Sequence, residues 1–220
     1  MNDAQLYFLP GLGFDERIFN NLELENKNIN YLKWLEPNRN ETLGDYVKRI
    51  AEQIIPSDKP LILIGHSFGG IIVQEISKFI DVKKLIIISS IKSKEEIPIT
   101  FSFLKIFPLY KLINTNLIIK SFPIWAKAFG YNSEKGRKLF VEMLSNSSDN
   151  YFKWAMDKII NWSDDNSRSK NLIHIHGTND KTFPIRLIKN PIVIKDGSHF
   201  MVNSKAEIIS EILDAEIRKD

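Results

Sequence analysis

Apolar positions along the chain alternate between two spacings. Apolar-rich segments at Leu6 to Leu9, Ile29 to Leu35, Leu61 to Ile64, Lys84 to Ser89, Leu172 to His176 and Ile192 to Ile194 are short and bounded by turn residues. Each predicts a buried strand. Between them the spacing turns helical: Ile18, Phe19 and Leu22 within residues 15–22, then Tyr46, Val47, Ile50, Ala51 and Ile54. This second helix opens on a Thr42 to Asp45 cap and closes before Pro56. A third begins directly after Ser67. The last, from Asn203 to Ile217, carries Ile208, Ile209, Ile212, Leu213 and Ile217 on one side. Strand and helix in alternation predict a mostly parallel six-stranded sheet flanked by helices, an α/β architecture.

The alternation lapses over residues 92–165. Segments of helix length are punctuated by Pro98, Pro108, Pro123 and Gly130, and aromatics are dense from Phe101 to Trp162. We read this stretch as a helical insertion over a core made of residues 1–91 and 166–220. Its Lys92 to Glu96 charge run reads as a solvated hinge, and residues 164–167 as a polar linker. The aromatics are expected to form the insertion's own core, with Phe107, Trp125, Phe129 and Trp154 also lining a substrate pocket.

Composition narrows the chemistry. With 43% hydrophobic and 26% charged residues in 220, and a formal charge of +3, the chain reads as an ordinary globular domain without a basic run for nucleic acid. It contains no cysteine, which excludes disulfides, thiolate catalysis and thiolate metal sites. The first residues carry no secretory pattern, and no apolar run spans a bilayer, so a cytoplasmic location is expected. Oligomeric state is left open.

Chemistry concentrates in Gly65-His66-Ser67-Phe68-Gly69-Gly70, where a strand ends on a serine and a helix starts at once. Such a bend strains the serine backbone and needs slim residues two before and two after it; Gly65 and Gly69 meet that need. A serine hydroxyl also needs a base, itself oriented by a third group. His66 should point away from Ser67, and His174 and His176 share one strand face. His199, just past the last strand, lies at the sheet edge where Ser67 lies. Asp180, after the preceding strand, is the preferred acid and Asp196 the second choice. The backbone N–H groups of Phe68 and Leu12 are the candidate oxyanion donors. His174 and His176 read as packed sheet residues rather than metal ligands, and neither metal nor cofactor is expected.

Serine, aspartate and histidine in that order, each after a strand, resemble the α/β-hydrolase superfamily over nearly the whole chain. Gly65 to Gly70 matches its nucleophile elbow, His176-Gly177-Thr178-Asn179-Asp180 its acid loop, and Gly197-Ser198-His199 its histidine loop. Pro10-Gly11 stands where the family usually has His-Gly, and residues 36–40 lack its common glycine-rich turn. The resemblance implies a serine hydrolase acting through an acyl-enzyme on a small-to-medium, largely apolar ester or thioester. A serine at the elbow disfavours haloalkane dehalogenase and epoxide hydrolase chemistry, which use aspartate there. Carbon–carbon bond hydrolysis, lactone opening and a non-catalytic receptor on the same fold remain alternatives.

Overall fold

A computed structural model of the protein describes residues 3–131, 133–164 and 171–219. Six strands, β1 Gln5–Leu9, β2 Ile29–Tyr31, β3 Leu61–His66, β4 Lys84–Ile88, β5 Leu172–Gly177 and β6 Ile192–Ile194, form one sheet in the order β2-β1-β3-β4-β5-β6. Every pair is parallel. All strand C-termini therefore meet at one rim, and both faces need cover. On one face α1 (Leu43–Ala51) and α2 (Phe68–Ile76) bury Tyr46, Val47, Ile50, Ile72 and Ile76 against the sheet. On the other, the short α7 (Met201–Ser204) and α8 (Ala206–Arg218) bury Met201, Ile209, Leu213 and Ile217.

Three expected elements come out shorter or broken. The second strand stops at Tyr31 rather than Leu35, because its ladder partner β1 ends at Leu9 and Pro10 has no N–H to extend it. Side chains take over there: Lys33 N–H donates to Gln53 Oε1 and Leu35 N–H to the Tyr46 hydroxyl. The helix expected over residues 15–22 is one 3₁₀ turn, Glu16–Phe19, capped by Asp15 and burying Ile18 and Phe19. The C-terminal helix is interrupted at Lys205, between α7 and α8.

Between β4 and β5 run α3 (Ile99–Ile106), α4 (Thr115–Trp125), α5 (Glu134–Ser145) and α6 (Asp149–Asn161), with Pro123 inside α4. The polar linker read at residues 164–167 lies, past Asp164, outside the described residues. The aromatics do not form a core of their own. Phe122, Tyr131 and Phe140 join Phe14 and Phe200 above one sheet face, with the Phe122 and Phe140 rings stacked at 4.3 Å. Tyr151, Trp154 and Trp162 of the α6 region join Tyr46 and Phe68 on the other. Division between two existing cores buries more apolar surface than a small third core would.

The charge run is solvated at Lys94 and Glu95 but anchored at its end. Glu96 is fully buried, and its carboxylate accepts the backbone N–H groups of Lys92 (2.8 Å) and Lys189 (2.9 Å). A buried carboxylate is tolerated only with its lone pairs so matched, and here it fastens the exit of β4 to the approach of β6.

Close approach of α2 to the sheet limits what its glycines can be. A Cβ on Gly69 would lie 2.2 Å from the carbonyl oxygen of Leu9, whereas one on Gly44, in the first turn of α1, would meet nothing nearer than 4.0 Å. We therefore expect Gly69→Ala to cost about 3 kcal/mol through forced overpacking. Gly44→Ala should gain about 0.5 kcal/mol. Urea unfolding of the two variants, compared with the parent, checks both signs.

Candidate active site

Ser67 sits between β3 and α2 with φ 52° and ψ −121°, outside the conformations a serine ordinarily adopts. Room for the bend comes from both flanking glycines: a Cβ on Gly65 would strike the Gly69 carbonyl at 2.5 Å. The bent backbone is held from three directions. Ser67 N–H donates to Ile88 O (2.9 Å), while Ser67 O accepts Gly70 N–H (2.9 Å) and the Ser90 hydroxyl (2.7 Å). Ser90, from the loop after β4, was not singled out in the sequence. Its only signal there is a serine pair just past a strand.

The three side chains expected from separate loops meet at this rim. His199 Nε2 lies 2.9 Å from Ser67 Oγ, and His199 Nδ1 lies 2.9 Å from Asp180 Oδ2. With the Nδ1–H donating to the carboxylate, Nε2 is free to accept the serine proton. Asp180 is buried, and its other oxygen accepts the N–H groups of Thr182 (2.8 Å) and Phe183 (2.9 Å). Burial pushes this carboxyl up, but His199, His176 and the Phe183 amide outweigh it and hold the group below the ordinary aspartate value. Asp196, the second choice, is exposed and bonds through its backbone N–H to Thr178 Oγ1.

The two candidate oxyanion donors lie on either side of Ser67 in the fold, one in α2 and one in the loop after β1. Phe68 N–H is the first of α2 and, like that of Leu12, donates to no other group among the described residues. The loop carrying Leu12 abuts Ser67, since a Cβ on Gly11 would come within 3.0 Å of Ser67 Cβ.

Of the proposed pocket aromatics, neither Phe107 nor Trp154 sets its ring against His199. Phe107 ends α3 as an exposed side chain. Phe129 packs half-buried against one core. Trp154 packs on Tyr46 and Phe68 and donates its indole N–H to Glu41 O. The Trp125 side chain lies outside the described residues. Instead Phe183 sets its ring edge-on to His199 at 5.7 Å, and Phe14 does the same to His66. Phe14 also borders a cleft of about 260 Å³ lined by Pro10, Trp34, Met143 and Tyr151. The Trp34 indole donates to Gly11 O, tying the cleft wall to the loop beside Ser67. Phe183 and Trp34 stand beside loops already assigned, but nothing in local spacing marks a ring that reaches across.

The other histidines are structural. His66 does not bond Ser67; it lies under the His199 loop, its Nε2–H donating to His199 O at 3.0 Å. His176 Nε2–H donates to Phe183 O (2.7 Å), so its Nδ1 accepts from His174 Nε2–H (3.1 Å). No metal-binding group of His, Cys, Asp and Glu occurs among the described residues.

No family model matches the sequence, and no curated protein matches it. Solved structures do. MenH from S. aureus superposes with a TM-score of 0.72 at 15% identity, over 99% of this chain and 94% of that one. A lipase-esterase related protein from Clostridium acetobutylicum gives 0.67 at 19%, over 98% and 96%. YbtT, the type II thioesterase of the yersiniabactin pathway, gives 0.62 at 16%, over 96% and 92%. The chain has the α/β-hydrolase fold. Within that fold its serine, histidine and aspartate occupy one connected, mostly buried cluster.

Burial pushes the imidazole of His66 down to about 3, helped by nearby His199, and that of His174 down to about 2, helped by His176. His176 is lowered as well, again chiefly by burial. Unfolding frees all three to bind protons near the ordinary histidine value of about 6.5. Below that pH the unfolded chain holds more protons, so stability falls as pH falls, by up to about 1.4 kcal/mol per pH unit for each histidine. Stability should thus decline steeply between about pH 6 and 4. His174→Gln should flatten that slope by about one histidine's share, read from urea unfolding across the range.

Proposed function

We propose that the protein is a serine hydrolase that cleaves a small-to-medium, largely apolar carboxylic ester or thioester through an acyl-enzyme. The continuous path from the Ser67 hydroxyl through His199 to Asp180, both links at 2.9 Å, carries this proposal. Ser67 Oγ attacks the carbonyl carbon as its proton passes to His199 Nε2. The Phe68 and Leu12 amides receive the charge on the carbonyl oxygen, and Asp180 stabilises the imidazolium. The bond to the alcohol or thiol then breaks, and Nε2 returns the proton to the leaving group. Water attacks the acyl-enzyme with Nε2 taking its proton, and Ser67 recovers that proton as the acid departs.

The cleft beside Gly11 offers the rings of Phe14, Trp34 and Tyr151 to an apolar acyl group, with Asp15, Glu16, Lys33 and Glu36 on its other walls. Among similar folds, the lipase-esterase related protein and the type II thioesterase are named for this same pair of reactions.

A fluorophosphonate probe should label the protein stoichiometrically, and Ser67→Ala should abolish the label. On p-nitrophenyl esters and acyl-CoAs of graded length, Asp180→Asn should lower kcat about 10⁴-fold, since the imidazole would then adopt the wrong tautomer. Labelling absent from the parent would remove the nucleophile. Turnover confined to lactones or carbon–carbon substrates would keep the triad and replace the substrate class.

A further inference from the structure

From Ile97 to Ser133 the chain contains four lysines, Lys105, Lys111, Lys120 and Lys127, and no acidic residue at all. Setting those four aside turns the protein's formal charge from +3 to −1, so the segment is cationic while the rest of the chain is close to neutral overall. The same segment holds most of the large apolar side chains that the fold leaves in solvent. Ile99 (72% exposed), Phe103, Ile106 (70%) and Phe107 belong to α3 and its end. Leu109 and Leu112 (81%) belong to the 3₁₀ turn that follows, and Leu117 and Ile124 (86%) to α4. Single exposed apolar residues are ordinary; a succession of eight over two helices and the turn between them is not.

The positions are regular as well. α3 turns Phe101 inward, where it meets Phe183 edge-on at 6.0 Å, with Leu104 half-buried. Ile99, Phe103 and Ile106, spaced at i, i+4 and i+7, form the opposite stripe. A soluble helix carries polar residues on that face, whereas this one is apolar on both. On α4, Leu117 and Ile124 are seven apart with exposed Lys120 between them, while Phe122 is buried inward. The carboxylates nearest by contact are already engaged: Asp149 accepts from Thr115, and Asp157 from the Tyr110 hydroxyl.

We propose that the exposed apolar side chains and lysines of the 99–124 segment dock onto an anionic lipid surface. Isoleucine, leucine and phenylalanine would enter the boundary between headgroups and acyl chains, and the lysines would reach up to the phosphates. Charge selects this occupant. A second copy meeting the same patch across a two-fold axis would set lysines against lysines. The core of a protein interface also disfavours lysine. The mode is adsorption, not insertion: no helix among the described residues is long and apolar enough to cross a membrane.

The test is co-sedimentation of the full chain with vesicles of phosphatidylcholine alone and of phosphatidylcholine with 30% (about one lipid in three) phosphatidylglycerol. It reads binding, so its outcome is independent of whether Ser67 reacts. Binding to the anionic vesicles, weakened by salt, is expected. Replacing Ile106, Leu112 and Ile124 together by Ser should weaken it more than tenfold. Replacing Lys105, Lys111 and Lys120 by Gln should weaken it about a hundredfold, at about fivefold per lysine. All six side chains are exposed, so thermal unfolding should stay near that of the parent. No binding to either vesicle, or equal binding by the variants, overturns the proposal. So does a dimer in sedimentation equilibrium that the triple Ser variant dissolves.

Discussion

The site depends on how closely the first turn of α2 lies against the end of β3. Gly65 and Gly69 leave no room for a methyl group between them, and Gly69 also presses on the carbonyls of Leu9 and Pro10. That contact forces the chain through a positive φ at Ser67, a conformation that costs on the order of 1–3 kcal/mol and persists only if its surroundings over-determine it. They do so here from the neighbouring strand. Ile88 takes the Ser67 N–H and Ser90 caps its carbonyl, so β4 fixes the serine's backbone while β3 and α2 fix its direction. The bend leaves the Phe68 amide without a partner among the described residues and the hydroxyl within reach of His199 Nε2.

Around that bend the protein keeps polar groups buried while admitting few charges. His66 and the His174–His176 pair are held neutral by burial, yet each spends a ring N–H on fastening something of consequence. His66 fastens the backbone of His199, and His176 the carbonyl of Phe183, whose own N–H donates to Asp180. Asp180 is thus the carboxylate these imidazoles surround, and its two oxygens are divided between His199 and the Thr182–Phe183 turn. A carboxylate held by three such bonds has little freedom to rotate, and the imidazole bonded to it inherits that orientation.

Most of the sheet and its rim was legible from local pattern, because parallel strands buried on both faces read as continuous apolar runs and their ends fall on one side. Ser67, Asp180 and His199 were legible for the same reason: each follows a strand, so topology alone brings them to one edge. The contributions made across the fold were not. Ser90, Glu96 and Phe183 act through contacts to residues far along the chain, and no periodicity encodes which loop faces which. The aromatics of residues 92–165 were misjudged as a separate core because local density says that rings are buried without saying against what. Phe107 illustrates the reverse error, an aromatic in an apolar run that the fold leaves in solvent.

The two faces of α3 answer to different demands. Inward, Phe101 meets Phe183, which meets His199, so the helix reaches that imidazole through a single intervening ring. Outward, Ile99, Phe103 and Ile106 stabilise nothing within the chain, since they remain in water when it folds. Folding accounts for the first face: the half-buried Phe101 seats the helix against Phe183. It cannot account for the second, where serine or glutamate would serve the fold equally and the solubility better. α5 and α6 show what the fold asks of a helix in this region, with polar residues outward and Phe140, Tyr151 or Ile159 inward. The divergence of α3 and α4 from that pattern therefore has its cause outside the folded chain. A surface able to take up apolar side chains and lysines together satisfies both halves of what these helices expose.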